Sequence, residues 1–308
     1  MKLRILILSI FGTFIFNSCS NDNNSSNSTS QNLDPNTLLP KQIMITEPLF
    51  DRFFKLNFFY NGNKIDHISF TGSYSFDPSQ SIQSSNGEIY YTYNGDLITK
   101  IDYVSSSGII SHSYNITYQN NKISTCNYID EAPIYNYNVN FQYGSNSSVI
   151  RTITYTDNPD ITTPLVESLS NITNGIPYSI SLNNKQCDIQ YTGSNSVYKN
   201  ITGFNEVLSN MFFCDLIGSH TGSTTTPDEH IQYFIGNTTA FYGSRIPDFF
   251  LKLSPIYNYD FISNYGGYGG YNYSYNYIYN EIDFPTSYEV QRSGVAGGLQ
   301  EYGTIIYY

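Results

Sequence analysis

The chain has 308 residues, 13% of them charged, with 31 Tyr, 20 Phe and no Trp. That length holds one large domain or two modest ones, and the sparse charge excludes a long charged coiled coil and charge-driven disorder. The net charge is −11, or about −13 once Lys2 and Arg4 of the leader are set aside; such a surface repels phosphate backbones and argues against nucleic acid as a partner.

The N-terminus reads as an address. Lys2 and Arg4 precede an apolar run, Ile5 to Phe16, interrupted by Ser9, Gly12 and Thr13. The run is shorter than the roughly 20 residues a membrane-spanning helix needs, and it fits the apolar core of a secretory signal. It ends at Phe16-Asn17-Ser18-Cys19, which resembles a bacterial lipobox, with Phe16 in place of the usual Leu and a polar Asn17. The resemblance implies that residues 1–18 are a signal peptide and that Cys19 becomes the acylated first residue, anchoring the chain to the outer membrane. Residues 20–31 are only Ser, Asn, Asp, Thr and Gln. They cannot bury anything, so 19–32 is expected to be a lipidated cysteine with a flexible tether, and 33–308 a single domain. Asp22 gives a weak match to the acidic surface-export signal of Bacteroidota lipoproteins, which favours the cell surface over the periplasmic face.

Beyond the tether the chain repeats. Phe58-Phe59-Tyr60-Asn61-Gly62-Asn63-Lys64-Ile65 is echoed by Tyr91-Thr92-Tyr93-Asn94-Gly95-Asp96-Leu97-Ile98 and by Ile116-Thr117-Tyr118-Gln119-Asn120-Asn121-Lys122-Ile123. A looser copy begins at Val139-Asn140-Phe141 and resumes at Val149. Each unit reads as strand, tight turn, strand. Asn-Gly predicts a type I′ turn, which needs positive φ at both central residues. Alternation places Ile89, Tyr91 and Tyr93 on one face, and after the turn Leu97, Thr99 and Ile101 on one face. The simplest fold is all-β, an antiparallel up-and-down meander curled into an open or nearly closed barrel-like sheet that limits exposed edges.

The segment Tyr91 to Ile101, with Gly108 beyond it, resembles a YD-type repeat in which Asn94 replaces the Asp. With the lipobox, the chain is similar to Bacteroidota-type lipoproteins that carry such β-hairpin repeats. Tyr279-Asn280-Glu281-Ile282-Asp283-Phe284-Pro285-Thr286 resembles a turn recurring in that group, and Tyr198 to Phe204 is similar to it in character. The resemblance implies an extracytoplasmic β-sheet domain and supplies no catalytic residues.

Later segments are more varied. Residues 176–182 and 187–191 read as a hairpin about Asn183-Asn184-Lys185. Phe204, Val207, Leu208, Met211 and Phe212 recur at helical spacing and predict one short helix over 204–217, with strands at 231–235 and 240–242. Gly266 to Gly270 reads as a loop before alternating Tyr271, Tyr273, Tyr275, Tyr277 and Tyr279, five rings on one strand face. The terminal aromatic strand at 304–308 is similar to those of outer-membrane barrels. The strands lack a sustained outward apolar band, so an integral barrel is not expected.

Chemistry is sparse. His67, His112, His220 and His230 match no zinc spacing, and neither a metal nor a cofactor is expected. Cys126, Cys187 and Cys214 sit among apolar neighbours and read as buried thiols. No nucleophile elbow, zincin motif or phosphate loop occurs. The expectation is a non-enzymatic binding or structural module, with Tyr271 to Tyr279 as the candidate ligand-binding face for a glycan or protein. The alternative is a cell-surface accessory protein that captures or degrades polysaccharide. A third possibility is a periplasmic assembly factor with a concave apolar face.

Overall fold

A computed structural model describes residues 33–204 and 257–308, apart from short stretches of the connections. The expected signal peptide and tether, Cys19, the strands expected at 231–235 and 240–242, His220, His230, Cys214 and the loop expected over Gly266 to Gly270 lie outside the described residues. So does the helix expected over 204–217, beyond its first residue Phe204.

Among the described residues there are sixteen strands. They are β1 (Pro40–Glu47), β2 (Arg52–Asn61), β3 (Lys64–Tyr74), β4 (Gln83–Asn94), β5 (Leu97–Ser105), β6 (Ile110–Gln119), β7 (Lys122–Asp130) and β8 (Tyr137–Tyr143), followed by β9 (Val149–Tyr155), β10 (Leu165–Ser170), β11 (Ser179–Leu182), β12 (Lys185–Asn195), β13 (Tyr257–Tyr265), β14 (Tyr271–Tyr279), β15 (Pro285–Ser293) and β16 (Leu299–Tyr307). Every strand pairs antiparallel with its sequence neighbours, and β1 also pairs with β16, which joins the two ends of the meander into a closed barrel. Closure leaves no exposed sheet edge.

The two faces of the wall differ in chemistry. One register row runs Tyr91, Ile101, Tyr114, Tyr128, Tyr137, Tyr155 across β4 to β9, and all six are buried. The opposite face carries Lys100, Asn115, Asn127, Asn138 and Thr154 in register, and Gln42, Asn57, Ser69 and Glu88 across β1 to β4. Those outer side chains bond to one another: Gln42 Nε2 donates to Asn57 Oδ1 at 2.8 Å, and Asn57 Nδ2 donates to Ser69 Oγ at 3.2 Å. The apolar face therefore points into the barrel, where it forms one continuous core, and the polar face points out.

The repeat encodes a phase switch. After each turn the ladder slips by one residue, between Phe59 and Tyr60, between Thr92 and Tyr93, and between Thr117 and Tyr118. The extra residue on the following strand moves the buried positions from a spacing of two to three, giving the pairs Ile65/Ile68, Ile98/Ile101 and Ile123/Cys126. This corrects the expectation that Leu97, Thr99 and Ile101 share a face; Ile98, Ile101 and Tyr103 are the buried set. The turns differ too. Asn61 and Asn94 end their strands, and only the following glycine has positive φ, 64° at Gly62 and 58° at Gly95. That is the II′ pattern rather than I′. Asn120 and Asn121, at 54° and 60°, form the I′ turn.

Aromatic rings lie flat on glycines directly opposite them, Phe54 over Gly72 and Tyr288 over Gly303. A Cβ on Gly303 would overlap the Tyr288 ring. We expect Gly303→Ala to lower stability by about 1–3 kcal/mol in urea unfolding. The loss should shrink in a Tyr288→Leu background, because the two sites share one contact.

Candidate functional site

The molecule has two ends of different construction. At one end, here the base, tight turns join β2 to β3, β4 to β5 and β6 to β7. Five of the strands arriving at the base, β2, β4, β6, β8 and β16, carry near their ends a tyrosine whose hydroxyl reaches the backbone of the preceding strand. Tyr60 donates to the Pro40 carbonyl at 2.8 Å, Tyr118 to that of Ile98 at 2.7 Å, Tyr143 to that of Ile123 at 2.9 Å and Tyr307 to that of Pro285 at 2.7 Å. Tyr93 varies the theme, accepting from the Ile65 N–H at 3.2 Å and donating to the Thr202 carbonyl. These tyrosines thus stitch one hairpin to the next, each bond contributing about 1 kcal/mol.

Residues 196–204, which leave β12, pack across this end. Val197, Tyr198, Ile201 and Phe204 are buried, with the Tyr198 ring beside Phe58 and the Phe204 ring beside Tyr91. The Thr202 N–H donates to the Asn63 carbonyl, and Asn200 Nδ2 donates to the carbonyls of Pro35 and Leu38, each at 2.9 Å. The start of the domain, the turns and this segment are one hydrogen-bonded unit.

Toward the opposite end the inner wall becomes an aromatic arc. His112 stacks on Tyr103 at 4.0 Å between centroids, Tyr114 meets Tyr128 at 4.9 Å, and Tyr128 stacks on Tyr137 at 4.7 Å. The Tyr128 hydroxyl donates to Asp130 Oδ2 at 2.6 Å.

The expected tyrosine ladder lies on β14. Tyr275 is buried, its ring stacks with Tyr277 at 6.2 Å, and Tyr277 meets Tyr279 at 5.8 Å and Tyr288 at 6.2 Å. Tyr273 and Tyr277 pack against the same core. Tyr271 belongs to the strand, and its side chain lies outside the description. The ladder thus faces the interior, while Asn272, Ser274 and Asn276 take the outer positions.

Sequence reasoning missed two buried charges. Arg151 is fully buried and shares the inner face with Val149 and Ile153; Glu301 is buried beside Gly303 and accepts from the Tyr288 hydroxyl at 3.3 Å. The alternation Val149-Ile150-Arg151-Thr152-Ile153 held that signal. His67 lies on the outer face, stacked on Phe59 at 4.3 Å, with Nδ1 2.7 Å from Asp66 Oδ2. Cys126 is a buried thiol. Among the described residues no three His, Cys, Asp or Glu converge as a metal site, and no helix is long and apolar enough to cross a membrane.

No protein-family model and no curated protein matches the chain. Among solved structures it is similar to a porin-like protein from Bacteroides uniformis, at TM-score 0.47 and 10% identity over 87% of this chain and 96% of that one. A second, porin-like protein from Bacteroides vulgatus aligns at TM-score 0.26 and 12% identity over 88% of this chain and 99% of that one. Outer-membrane barrels carry an outward apolar band, often over a polar interior. The inner wall of this barrel is mainly apolar, with Arg151 and Glu301 buried in it, and its outer wall mixes Asn, Ser, Thr and Lys with exposed Phe59, Tyr90, Ile129, Ile150 and Ile278.

The buried phenols are held neutral. Burial pushes Tyr60, Tyr91, Tyr288 and Tyr307 well above the ordinary phenol value, and Tyr93 to about 12 despite the opposing Ile65 N–H. An unfolded tyrosine ionises near pH 10. The stability these groups contribute is therefore full below about pH 10 and is lost as pH rises through the folded values. A pH series by near-ultraviolet absorbance should show cooperative unfolding coincident with tyrosinate formation above about pH 10. Tyr118→Phe, which removes one stitch, should cost about 1 kcal/mol at neutral pH.

Proposed function

We propose that the chain is a lipid-anchored lipoprotein of the outer membrane, displayed at the cell surface, whose barrel stands in water as a non-enzymatic binding or structural module. The observation that carries this reading is the polarity of the wall. A row such as Lys100, Asn115, Asn127, Asn138 and Thr154 faces outward at mid-strand, where a spanning barrel would meet lipid. A single Lys or Arg there costs about 2–4 kcal/mol at the bilayer midplane. A barrel with this exterior needs a separate attachment, and the lipobox-like Phe16-Asn17-Ser18-Cys19 with its polar tether supplies one.

The inner tyrosines are assigned to packing, since their rings cover one another in the core, and Tyr118 and Tyr143 also bond to the wall. Recognition falls to the end opposite the base. There the β5–β6 connection is ordered by the Ser105 N–H donating to the Ile109 carbonyl at 2.9 Å, and it holds Ile109 and Ile110 exposed. A glycan or a protein is the class of ligand to screen against that end.

Fractionation with protease shaving of intact cells tests the reading. Wild type should sediment with membranes and be stripped by external protease, and Cys19→Ala should move to the soluble fraction. Retention of Cys19→Ala in the membrane overturns the lipid anchor. Protection of the wild type until the envelope is opened overturns surface display.

A further inference from the structure

We propose that the inner side of the base is a water-binding site, where the hydroxyls of Tyr91 and Tyr198 share internal water that joins residues 196–204 to the barrel wall.

One hydroxyl points to it. Tyr91 is 7% exposed, and its Oη is buried with no hydrogen-bond partner in the protein. Other phenols near the base are spent on protein groups. Tyr60 and Tyr307 donate to the carbonyls of Pro40 and Pro285, Tyr93 to that of Thr202, and Tyr288 to the Glu301 carboxylate. A phenylalanine would fill the Tyr91 position with nearly the same volume and bring no polar atom into the core. A buried hydroxyl left without a partner destabilises the fold, so this one calls for a partner that is not protein.

The surroundings supply the rest of the site. Tyr91 and Tyr198 flank one ring: the Phe204 centroid lies 5.8 Å from that of Tyr91 and 5.2 Å from that of Tyr198. Tyr198 lies 6.4 Å from Phe58, which stacks with Tyr60 at 6.4 Å. Tyr198 comes from the segment that packs across the base, and its Oη is buried as well. Burial is the main reason that Tyr60, Tyr91, Tyr288 and Tyr307 resist ionisation, and the phenol of Tyr198 adds to it in all four. One phenol from the base segment is thus the common neighbour of phenols on β2, β4, β15 and β16. An internal water needs two to four polar partners, and it finds them here in Tyr91 Oη, Tyr198 Oη and the lone pairs of Tyr60.

The same surroundings define the occupant. The side chains that bear on the Tyr91 phenol are all tyrosines, kept neutral by burial. An ion placed among them would lose its hydration without meeting an opposite charge. Water is the smallest molecule that both donates and accepts, and a phenol does both.

The test uses the chain from residue 19 carrying Cys19→Ala, and it does not depend on how the protein is attached to the envelope. Oxygen-17 relaxation dispersion counts water held inside the protein for longer than it takes to tumble. Tyr91→Phe should release long-lived water, lower the urea midpoint and speed hydrogen exchange of the Thr202 amide, which bonds to the Asn63 carbonyl. Tyr118→Phe, whose lost bond runs directly to the Ile98 carbonyl, should lower the midpoint and leave the water count and the Thr202 exchange unchanged. Tyr198→Phe should release the same water as Tyr91→Phe, and it carries the comparison if Tyr91→Phe does not fold. A raised midpoint in Tyr91→Phe, or a full water count in both variants, overturns the site. Unchanged Thr202 exchange overturns the link between base segment and wall. A small organic molecule retained in native mass spectrometry of the parent and lost from Tyr91→Phe overturns water as the occupant.

Discussion

The structure depends on burying one face of a sixteen-strand meander without leaving an edge. Period-two alternation gives each strand one apolar face, and a sheet that long must curl to hide it. Pairing of β1 with β16 completes the curl, so the apolar face becomes an interior and the Asn, Ser and Thr face an exterior. The rest serves that arrangement. The slip after each turn keeps Ile65 and Ile68, then Ile98 and Ile101, inside as the chain reverses. Tyr60, Tyr93, Tyr118 and Tyr143 tie neighbouring hairpins at the base, and residues 196–204 pack across the end they form.

Much of this was legible in the sequence. Asn-Gly and Asn-Asn marked the hairpins, and the alternation of Ile89, Tyr91 and Tyr93 marked a buried face. The bulge was not, because an extra residue has no composition of its own. It shows only as the change from spacing two to spacing three in Ile98 and Ile101, which reads as noise until the pairing of Thr92 with Lys100 and of Tyr93 with Ile98 is known. The turn type was misjudged for a related reason. Asn94 looked like a turn residue, but it is the last residue of its strand, and Gly95 with Asp96 makes the turn.

The recurring tyrosine could be seen but not interpreted. Tyr118 and Tyr143 each bond a carbonyl twenty residues upstream, a distance set by the register of a neighbouring hairpin and not by local pattern. The ladder on β14 was legible as one face. Its direction was legible only through the alternate Asn272, Ser274 and Asn276, whose polarity claims the water side. Closure of β1 on β16 joins positions at opposite ends of the domain, and no local signal carries it. The wall that results turns rows of Asn, Ser, Thr and Lys outward, and on the reading proposed above attachment to the envelope falls to Cys19 and the tether and not to the strands.

The central claim is that the barrel's exterior belongs in water, and the most direct measurement is the state of residues 33–308, produced without leader or tether, in buffer free of detergent. Size-exclusion chromatography with light scattering, alongside far-ultraviolet circular dichroism, should show a folded monomer rich in β-structure. Folding that occurs only in detergent or on insertion into a bilayer would place the Asn- and Thr-lined face against lipid and contradict the account.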